Sequence, residues 1–241
     1  MKLSFVIPAW NEEVLIAATI QSIQESSQQY EYEIIVADDA SDDRTPEIAK
    51  ELGVQVVSCN NRQIGPTRND GAAVATGDIL IFVDADTIVS EEVVRETVEA
   101  IKSGAVAGGS FPTFEGHVPI IAKVLTHALR IMFRMLRVAA GAYMFCTADS
   151  FKKAGGFDQK FFAAEEVHLS NKLHKFGEYK TIKSRVVTSG RKFRTHSSFE
   201  ILTTLLLVSI PGIRNLKKRK NLWYGPRKQG RVFTFLLCMV M

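Results

Sequence analysis

Cysteine is scarce in this 241-residue chain: Cys59, Cys146 and Cys238 stand far apart, with no Cys-x-x-Cys pair among them. Neither a disulfide framework nor a thiolate zinc site is therefore suggested, and a reducing compartment is expected. Glycine-rich phosphate loops are missing as well. The first strand-to-helix turn has no Gly-x-Gly-x-x-Gly and no Gly-Lys-Ser/Thr occurs anywhere, which argues against a dinucleotide-dependent dehydrogenase or a phosphate-loop hydrolase. Long apolar runs are absent too. Leu3 to Trp10 is halted by Asn11, Glu12 and Glu13, while Ile201 to Ile210 and Val232 to Met241 are about ten residues each where ~20 are needed to cross a bilayer. The expectation is a cytoplasmic protein without a secretory leader or spanning helix, with an anchor beyond Met241 left open.

What is present is a globular composition, 46% hydrophobic and 23% charged, of a length suited to one large domain or two small ones. The net charge of +4 conceals an asymmetry. Residues 1–116 carry 7 Lys+Arg against 20 Asp+Glu, and residues 117–241 carry 23 against 6. An acidic half suits a cation; a basic half suits phosphates, nucleic acid or an anionic membrane surface.

Leu3 to Ala9, Glu33 to Ala37, Val54 to Val57 and Ile79 to Val83 read as buried strands, and Val106 to Phe111 and Thr181 to Val187 as later ones. Helices are expected over Glu12 to Glu25, from Thr45 as N-cap with Pro46 at the first helical position, over Pro66 to Ala75, and from Ser90 with Glu91 and Glu92 in its first turn. Alternation of this kind predicts an α/β/α three-layer fold around a mainly parallel sheet.

Val118 to Val138 reads as a basic amphipathic helix, with Lys123, His127, Arg130, Arg134 and Arg137 on one face. Such a helix suits an anionic membrane surface or core packing. A second apolar segment, Ile201 to Ile210, precedes Lys217, Lys218, Arg219 and Lys220, and the two together favour the membrane surface. The basic run lacks aromatic interleaving, so nucleic acid is not expected as a partner.

The strongest chemical signal is an apolar strand delivering Asp84 and Asp86 at its C-terminal end, where open α/β sheets bind ligands. In an extended chain the two carboxylates point to one side, and a hard cation such as Mg²⁺ or Mn²⁺ shared with a diphosphate would relieve their repulsion. Asp38 and Asp39 end the second strand, where a carboxylate can accept from a nucleobase N–H; Asp42 and Asp43 belong to the following turn. Pro8-Ala9-Trp10-Asn11-Glu12 ends the first. Three parallel strand ends thus face one crevice.

In order and spacing, Val6 to Glu13, Ala37 to Thr45, Gly65-Pro66-Thr67-Arg68-Asn69, Asp84-Ala85-Asp86, Gly155-Gly156-Phe157-Asp158 and Glu165-Glu166-Val167-His168-Leu169 resemble the nucleotide-sugar domain of family-two inverting glycosyltransferases with the GT-A fold. The resemblance covers roughly residues 2–180 and implies roles position by position. Pro8, Ala9 and Glu12 would border the nucleotide, Asp39 or its neighbour Asp38 would accept from the base, and Arg68 would lie beside base and ribose. Asp84 would bind the ribose and Asp86 the metal. The turn Gly155, Gly156, Phe157, Asp158 would shape the acceptor side. Glu166 stands where the family has its general base, usually Asp, with Glu165 beside it, and the choice between the two stays open.

The basic loop Ser189 to His196 is expected either to close over the diphosphate, with Arg191, Arg194 and a metal-ligating His196, or to be solvated. His168 reads as a helix-surface residue; His117, His127 and His174 show no ligand spacing. The expected organisation is a GT-A domain over residues 1–196, split into a nucleotide half, 1–105, and an acceptor half, 106–196, followed by a basic, apolar appendage, 197–241, that meets the inner face of the cytoplasmic membrane. The expected partners are a UDP-, GDP- or dTDP-sugar and a hydroxyl acceptor that is lipid-linked or membrane-proximal. No Gln-x-x-Arg-Trp is present, which argues against a processive synthase. A sugar-phosphate nucleotidyltransferase and a non-catalytic membrane scaffold are the alternatives.

Overall fold

A computed structural model describes residues 1–115, 141–161 and 165–189. Strand β1 (Lys2–Ala9) is buried from Leu3 onward because both its faces are covered. It pairs in parallel with β2 (Glu31–Asp38) on one side and β4 (Ile79–Val83) on the other, and β3 (Gln55–Ser58) adds in parallel beyond β2. On the far side of β4 come β8 (Tyr143–Thr147), β6 (Ala105–Gly109) and β9 (Glu178–Thr181), giving the order β3-β2-β1-β4-β8-β6-β9. Only β8 opposes its neighbours, pairing antiparallel with β4 and β6.

Period-two alternation sends side chains to two cores. Leu3, Phe5, Ile7, Ile34, Val36, Ile79, Ile81 and Val83 face one layer, built by α1 (Ile16–Ser26), α2 (Thr45–Glu51) and α4 (Glu91–Lys102). Val6, Leu80, Phe82, Met144 and Cys146 face the other, which includes Ala154 of α5 (Ala148–Ala154) and Leu169 and Leu173 of α6 (Glu165–Leu173). Helix α3 (Ile64–Ala73) lies against β1 and β2 on this second side, where a Cβ on Gly71 would come within 2.5 Å of Val6 Cγ1. The three expected layers are present.

Boundaries differ from expectation at α1, α2 and two strands, each for a local reason; α3 also begins earlier than expected, at Ile64. Helix α1 starts at Ile16, because residues 12–15 form a turn closed by the Leu15 and Ile16 N–H groups on the Glu12 carbonyl. Thr45 does not cap α2: its hydroxyl accepts from the Glu12 N–H at 2.8 Å and donates to Asp43, tying two loops together instead. The strand expected at 106–111 stops at Gly109, and the one expected at 181–187 is divided between two sheets. After β6 the chain moves into β7 (Pro112–Glu115), and after β9 into β10 (Val186–Ser189); with β5 (Thr87–Ile88) these form a small sheet in the order β5-β10-β7.

Ser110 stitches both crossings, donating to the Ser184 carbonyl at 2.8 Å and accepting from the Val186 N–H at 3.2 Å. Glu96 of α4 accepts the N–H groups of Lys183 and Ser184 and the Ser184 hydroxyl, so it holds the second crossing from the helix side. Among the described residues, no helix is long and apolar enough to cross a membrane.

Candidate active site

The crevice begins at the C-terminal ends of β1, β2 and β3. Pro8 and Ala9 close β1, buried, and the Ala9 carbonyl accepts the Asp39 N–H at 2.8 Å. The loop after β1 is fastened to the loop after β2. Asn11 N–H donates to Ser41 Oγ at 2.9 Å, the Asp42 N–H to Asn11 Oδ1 at 3.0 Å, the Glu13 N–H to Asp43 Oδ2 at 3.1 Å and the Arg44 N–H to Glu13 Oε2 at 3.2 Å. Glu12 is buried within this seam. Each of the three loops contains one non-glycine residue in the left-handed region, Asn11 (φ 52°), Ala40 (φ 57°) and Arg62 (φ 49°), a conformation that surrounding contacts must impose. The Arg62 guanidinium lies over the Trp10 ring, 5.1 Å from its centroid.

The two aspartates ending β2 are used differently. Asp39 accepts the Asn61 and Arg62 N–H groups at Oδ1, 2.6 and 3.0 Å, and the Gln63 N–H at Oδ2, 3.2 Å, so it anchors the loop that launches α3. Asp38 accepts the Ser41 N–H at Oδ2, while its buried Oδ1 has no hydrogen-bond partner among the described residues. Burial raises the Asp38 pKa, and the neighbouring charges of Asp43 and Asp39 add to it.

Beyond β4 the chain does not continue extended as expected. The Thr87 N–H returns to the Asp84 carbonyl at 3.1 Å, making a turn through Ala85 and Asp86. Asp84 and Asp86 therefore engage different partners. Asp86 Oδ1 accepts the Thr188 hydroxyl at 3.1 Å, and its carbonyl accepts the Ser189 N–H, so the small sheet positions it. Thr188 lies 102 residues away in sequence, and no local pattern announced it.

Asp84 belongs to a buried ionic cluster centred on Arg68, which is 1% exposed on α3. Nη2 donates to Asp84 Oδ1 at 2.9 Å and to the Gly141 carbonyl at 3.1 Å. Nη1 donates to Glu166 Oε1 at 2.8 Å and Glu165 Oε1 at 3.2 Å, while the guanidinium lies 5.3 Å over the Phe157 ring. Burial alone would lower the Arg68 pKa; Glu166, Asp84 and Glu165 together raise it. Glu165 is 3% exposed, and burial drives its carboxyl well above the usual range, reinforced by the Glu166 charge. Burial acts on Glu166 in the same sense, but Arg68 outweighs it and holds that carboxyl low.

The Gly155–Asp158 turn is gripped from the residue next to Arg68. Asn69 Oδ1 accepts the Phe157 N–H at 2.9 Å and Asn69 Nδ2 donates to the Phe157 carbonyl at 2.8 Å. Gly155 and Gly156 adopt φ values of 74° and 66°, and a Cβ on Gly156 would meet Asn69 Oδ1 at 2.7 Å. Gln63 Nε2 extends this grip to the Gln159 and Phe161 carbonyls, 2.8 and 2.7 Å away. His168 stacks on Phe161 with centroids 4.4 Å apart and approaches Asp158 Oδ2 at 3.7 Å, so it supports the turn and is not a bare helix-surface residue. The sequence places Asn69 next to Arg68 but gives no sign of this grip, because its partner Phe157 lies 88 positions away.

One crevice rim thus gathers Pro8, Ala9, Glu12, Asp38 and Asp39, while Arg68 joins Asp84 to Glu165 and Glu166. Arg191, Arg194 and His196 lie outside the described residues, as do the basic segments at 118–138 and 201–220.

Sheet order, the reversed β8 and the carboxylates beyond β4 define a GT-A glycosyltransferase fold. Staphylococcus aureus TarS, residues 1–349, in complex with UDP-GlcNAc shares it at a TM-score of 0.64 and 18% identity, over 92% of this chain and 70% of that one. A mannosyltransferase from Pyrobaculum calidifontis, in complex with GDP-Man and Mn²⁺, matches at a TM-score of 0.64 and 19% identity, over 85% of this chain and 60% of that one.

The chain belongs to glycosyl transferase family 2, whose model matches residues 4–152. A dolichol-phosphate mannosyltransferase of Pyrococcus furiosus is 36% identical over 110 residues, 44% of this chain and 31% of that protein. A 4,4'-diaponeurosporenoate glycosyltransferase of Staphylococcus haemolyticus is 39% identical over 103 residues, 40% of this chain and 27% of that protein. The matched segment thus spans less than a third of either relative.

Proposed function

We propose that this chain transfers a sugar from a nucleoside diphosphate donor to an acceptor hydroxyl in a single displacement that inverts the anomeric centre. The observation that carries the reading is Arg68, one buried cation joining the carboxylate beyond β4 to the carboxylates that open α6. Donor and acceptor chemistry then share a single ionic centre.

Asp38, whose buried Oδ1 has no hydrogen-bond partner among the described residues, is the acceptor for a nucleobase N–H, because Asp39 already serves three backbone groups. Pro8, Ala9 and Glu12 border the nucleotide, and Asp84 holds the ribose. Arg68 acts through the carboxylates it orients, since its full burial keeps it from stacking on a base. Gly155 to Asp158 form the acceptor wall, and Arg191 and Arg194 face the diphosphate. Glu166 is the general base: it is ionised against Arg68 and, at 15% side-chain exposure, is more accessible than Glu165. It takes the acceptor hydroxyl proton as that oxygen bonds to the anomeric carbon, and the C–O bond to the diphosphate breaks with its electron pair leaving on phosphate oxygen.

The donor set suits Mg²⁺ or Mn²⁺. Asp86 offers hard oxygen, with His196 a further candidate, and among the described residues no group of three or more His, Cys, Asp or Glu converges to form an all-protein cage. An ion held there would take its remaining ligands from diphosphate and water, as Mg²⁺ commonly does. Bound, it would stabilise charge on the departing diphosphate.

Residues 1–105 form the nucleotide half, 106–196 the acceptor half, and 197–241 a basic, apolar appendage meeting the cytoplasmic face of an anionic membrane, where a lipid-linked acceptor is presented. The names of relatives support this setting: one is a dolichol-phosphate mannosyltransferase and another a prophage bactoprenol glucosyl transferase homolog.

The test screens UDP-, GDP- and dTDP-sugars for Mn²⁺-dependent thermal stabilisation and for transfer. One donor class is expected to stabilise the chain, and Glu166→Gln to keep that stabilisation while losing on the order of 10²–10⁴ in kcat. Stabilisation by nucleoside triphosphate with pyrophosphate release would overturn the reading.

A further inference from the structure

The Arg68 cluster poses a charge problem that the transfer reading alone does not resolve. Three carboxyl groups, Asp84, Glu165 and Glu166, meet one guanidinium in an enclosure where Arg68 is 1% and Glu165 3% exposed. Glu165 and Glu166 share one guanidinium nitrogen, and placing two ionised carboxylates on it in a low-dielectric site carries a cost that a bound proton removes. The geometry suits a shared proton. Glu165 Oε1 and Glu166 Oε1 both accept from Nη1, at 3.2 and 2.8 Å, which sets the two carboxyl groups side by side on one nitrogen. Two ionised carboxylates are acceptors only and cannot hydrogen-bond each other.

The other faces supply no competing cation among the described groups. Helix α3 contributes Arg68 alone, and the Gly155–Asp158 turn contributes Asp158, already set against His168. The turn beyond β4 contributes Asp84, the Gly141 loop a carbonyl, and β9 the Tyr179 hydroxyl, which lies near Ser170 and Glu166. Gly65 of α3 lies behind the Glu165 side chain, which is buried, so its carboxyl is shut off from water.

We propose that Glu165 is a positioning residue that carries this proton at neutral pH, donating it in a hydrogen bond to Glu166 and thereby fixing the ionised Glu166 as the base. The proposal rests on the transfer reading for its consequence, though not for its first test. With the proton in place, Glu166 keeps a hydrogen-bond acceptor for the incoming hydroxyl, and its position is set from behind. When alkali removes the proton, Glu165 repels Glu166 and the setting is lost.

Infrared spectroscopy of the full chain, exchanged between H₂O and D₂O, reads the C=O stretch of protonated carboxyl groups without any substrate. The wild type is expected to show such a band at neutral pH that Glu165→Gln lacks and Glu166→Gln retains. Absence of the band in the wild type, or a band surviving Glu165→Gln and lost in Glu166→Gln, overturns the proposal. Should Glu165→Gln not fold by circular dichroism, the wild type and Glu166→Gln alone decide it, by whether the band persists. In transfer assays, Glu165→Ala is expected to lose about a hundredfold in kcat with little change in donor KM, within the range a positioned base supplies. Glu165→Gln, whose amide still donates, is expected to recover at least tenfold of that loss and to lack the high-pH fall of the wild type. An equal loss in both variants at every pH would mean a merely structural role and overturn it. If no donor supports transfer while the infrared pattern holds, the transfer reading fails and the proton assignment stands.

Discussion

At the scale of single residues, position outweighs identity. Arg68 is a common surface residue type, yet here its guanidinium is held by four acceptors from three separate segments. Lysine cannot reproduce that fork, because it offers a compact charge where a planar array of donors is needed. Arg68→Lys is therefore expected to lower stability and abolish transfer together, and Arg68→Met, which leaves the buried carboxyl groups without their cation, to cost on the order of 3–5 kcal/mol, both read by urea denaturation. Glu33 shows the opposite case, a carboxylate stabilised at the sheet's other end. Burial alone would raise its pKa, but hydrogen bonds from the Ser4 hydroxyl, the Thr76 N–H and Lys2 prevail and hold it at about 2. An unfolded glutamate titrates near ~4.3, so the stabilisation is whole above that pH and is lost as pH falls toward about 2. Glu33→Gln is expected to flatten the acid-side decline in unfolding midpoint across this window. Asp84 and Glu166 were legible as single letters in motifs. That a buried arginine ties them together was not, because the contact joins residues 16 and 98 positions from Arg68.

At the scale of elements, helix α3 has the least helical sequence signature and the most demanding fit. Its run Ile64-Gly65-Pro66-Thr67-Arg68-Asn69-Asp70-Gly71 buries small residues so that the backbone can approach β1 and β2 closely enough to sink Arg68. Gly71→Ala is expected to destabilise by about 1–3 kcal/mol, because its Cβ would overlap the Val6 side chain. Gly65→Ala meets only ordinary contacts, 3.4 Å to Phe157 Cβ, and is expected to be neutral or to stabilise by up to ~1 kcal/mol; thermal unfolding of the two variants tests the contrast. The four early strands were legible because each is a short Val- and Ile-rich run bounded by polar residues. The breaks at Ser110 and Ser184 were not. Both segments read as continuous strands, and what divides them is hydrogen bonding to Glu96 and across the two crossings.

At the scale of the whole molecule, the acidic first half and basic second half are what the proposed reading requires, a cation at the donor pocket and an anionic surface beside the second half. If the basic segments do meet lipid, flotation of the protein with phosphatidylserine vesicles is expected at low salt and to fall steeply between 0.05 and 0.5 M NaCl as an order-of-magnitude window, since each basic residue contributes about 1 kcal/mol at such surfaces. No flotation at any salt would remove the membrane from the picture while leaving the transferase reading intact. The three-layer plan was legible from strand and helix alternation alone, because its parallel strands need helices on both faces. The loops after β1 and β2 behave as one part, laced by six hydrogen bonds, from Asn11 N–H to Ser41, Asn11 Nδ2 to Asp42, Asp42 to Asn11, Glu12 to Thr45, Glu13 to Asp43 and Arg44 to Glu13. A chimera that imports either segment from a homologue with another donor preference would strand half of those donors, so residues 10–13 and 41–45 have to be transplanted as a matched pair.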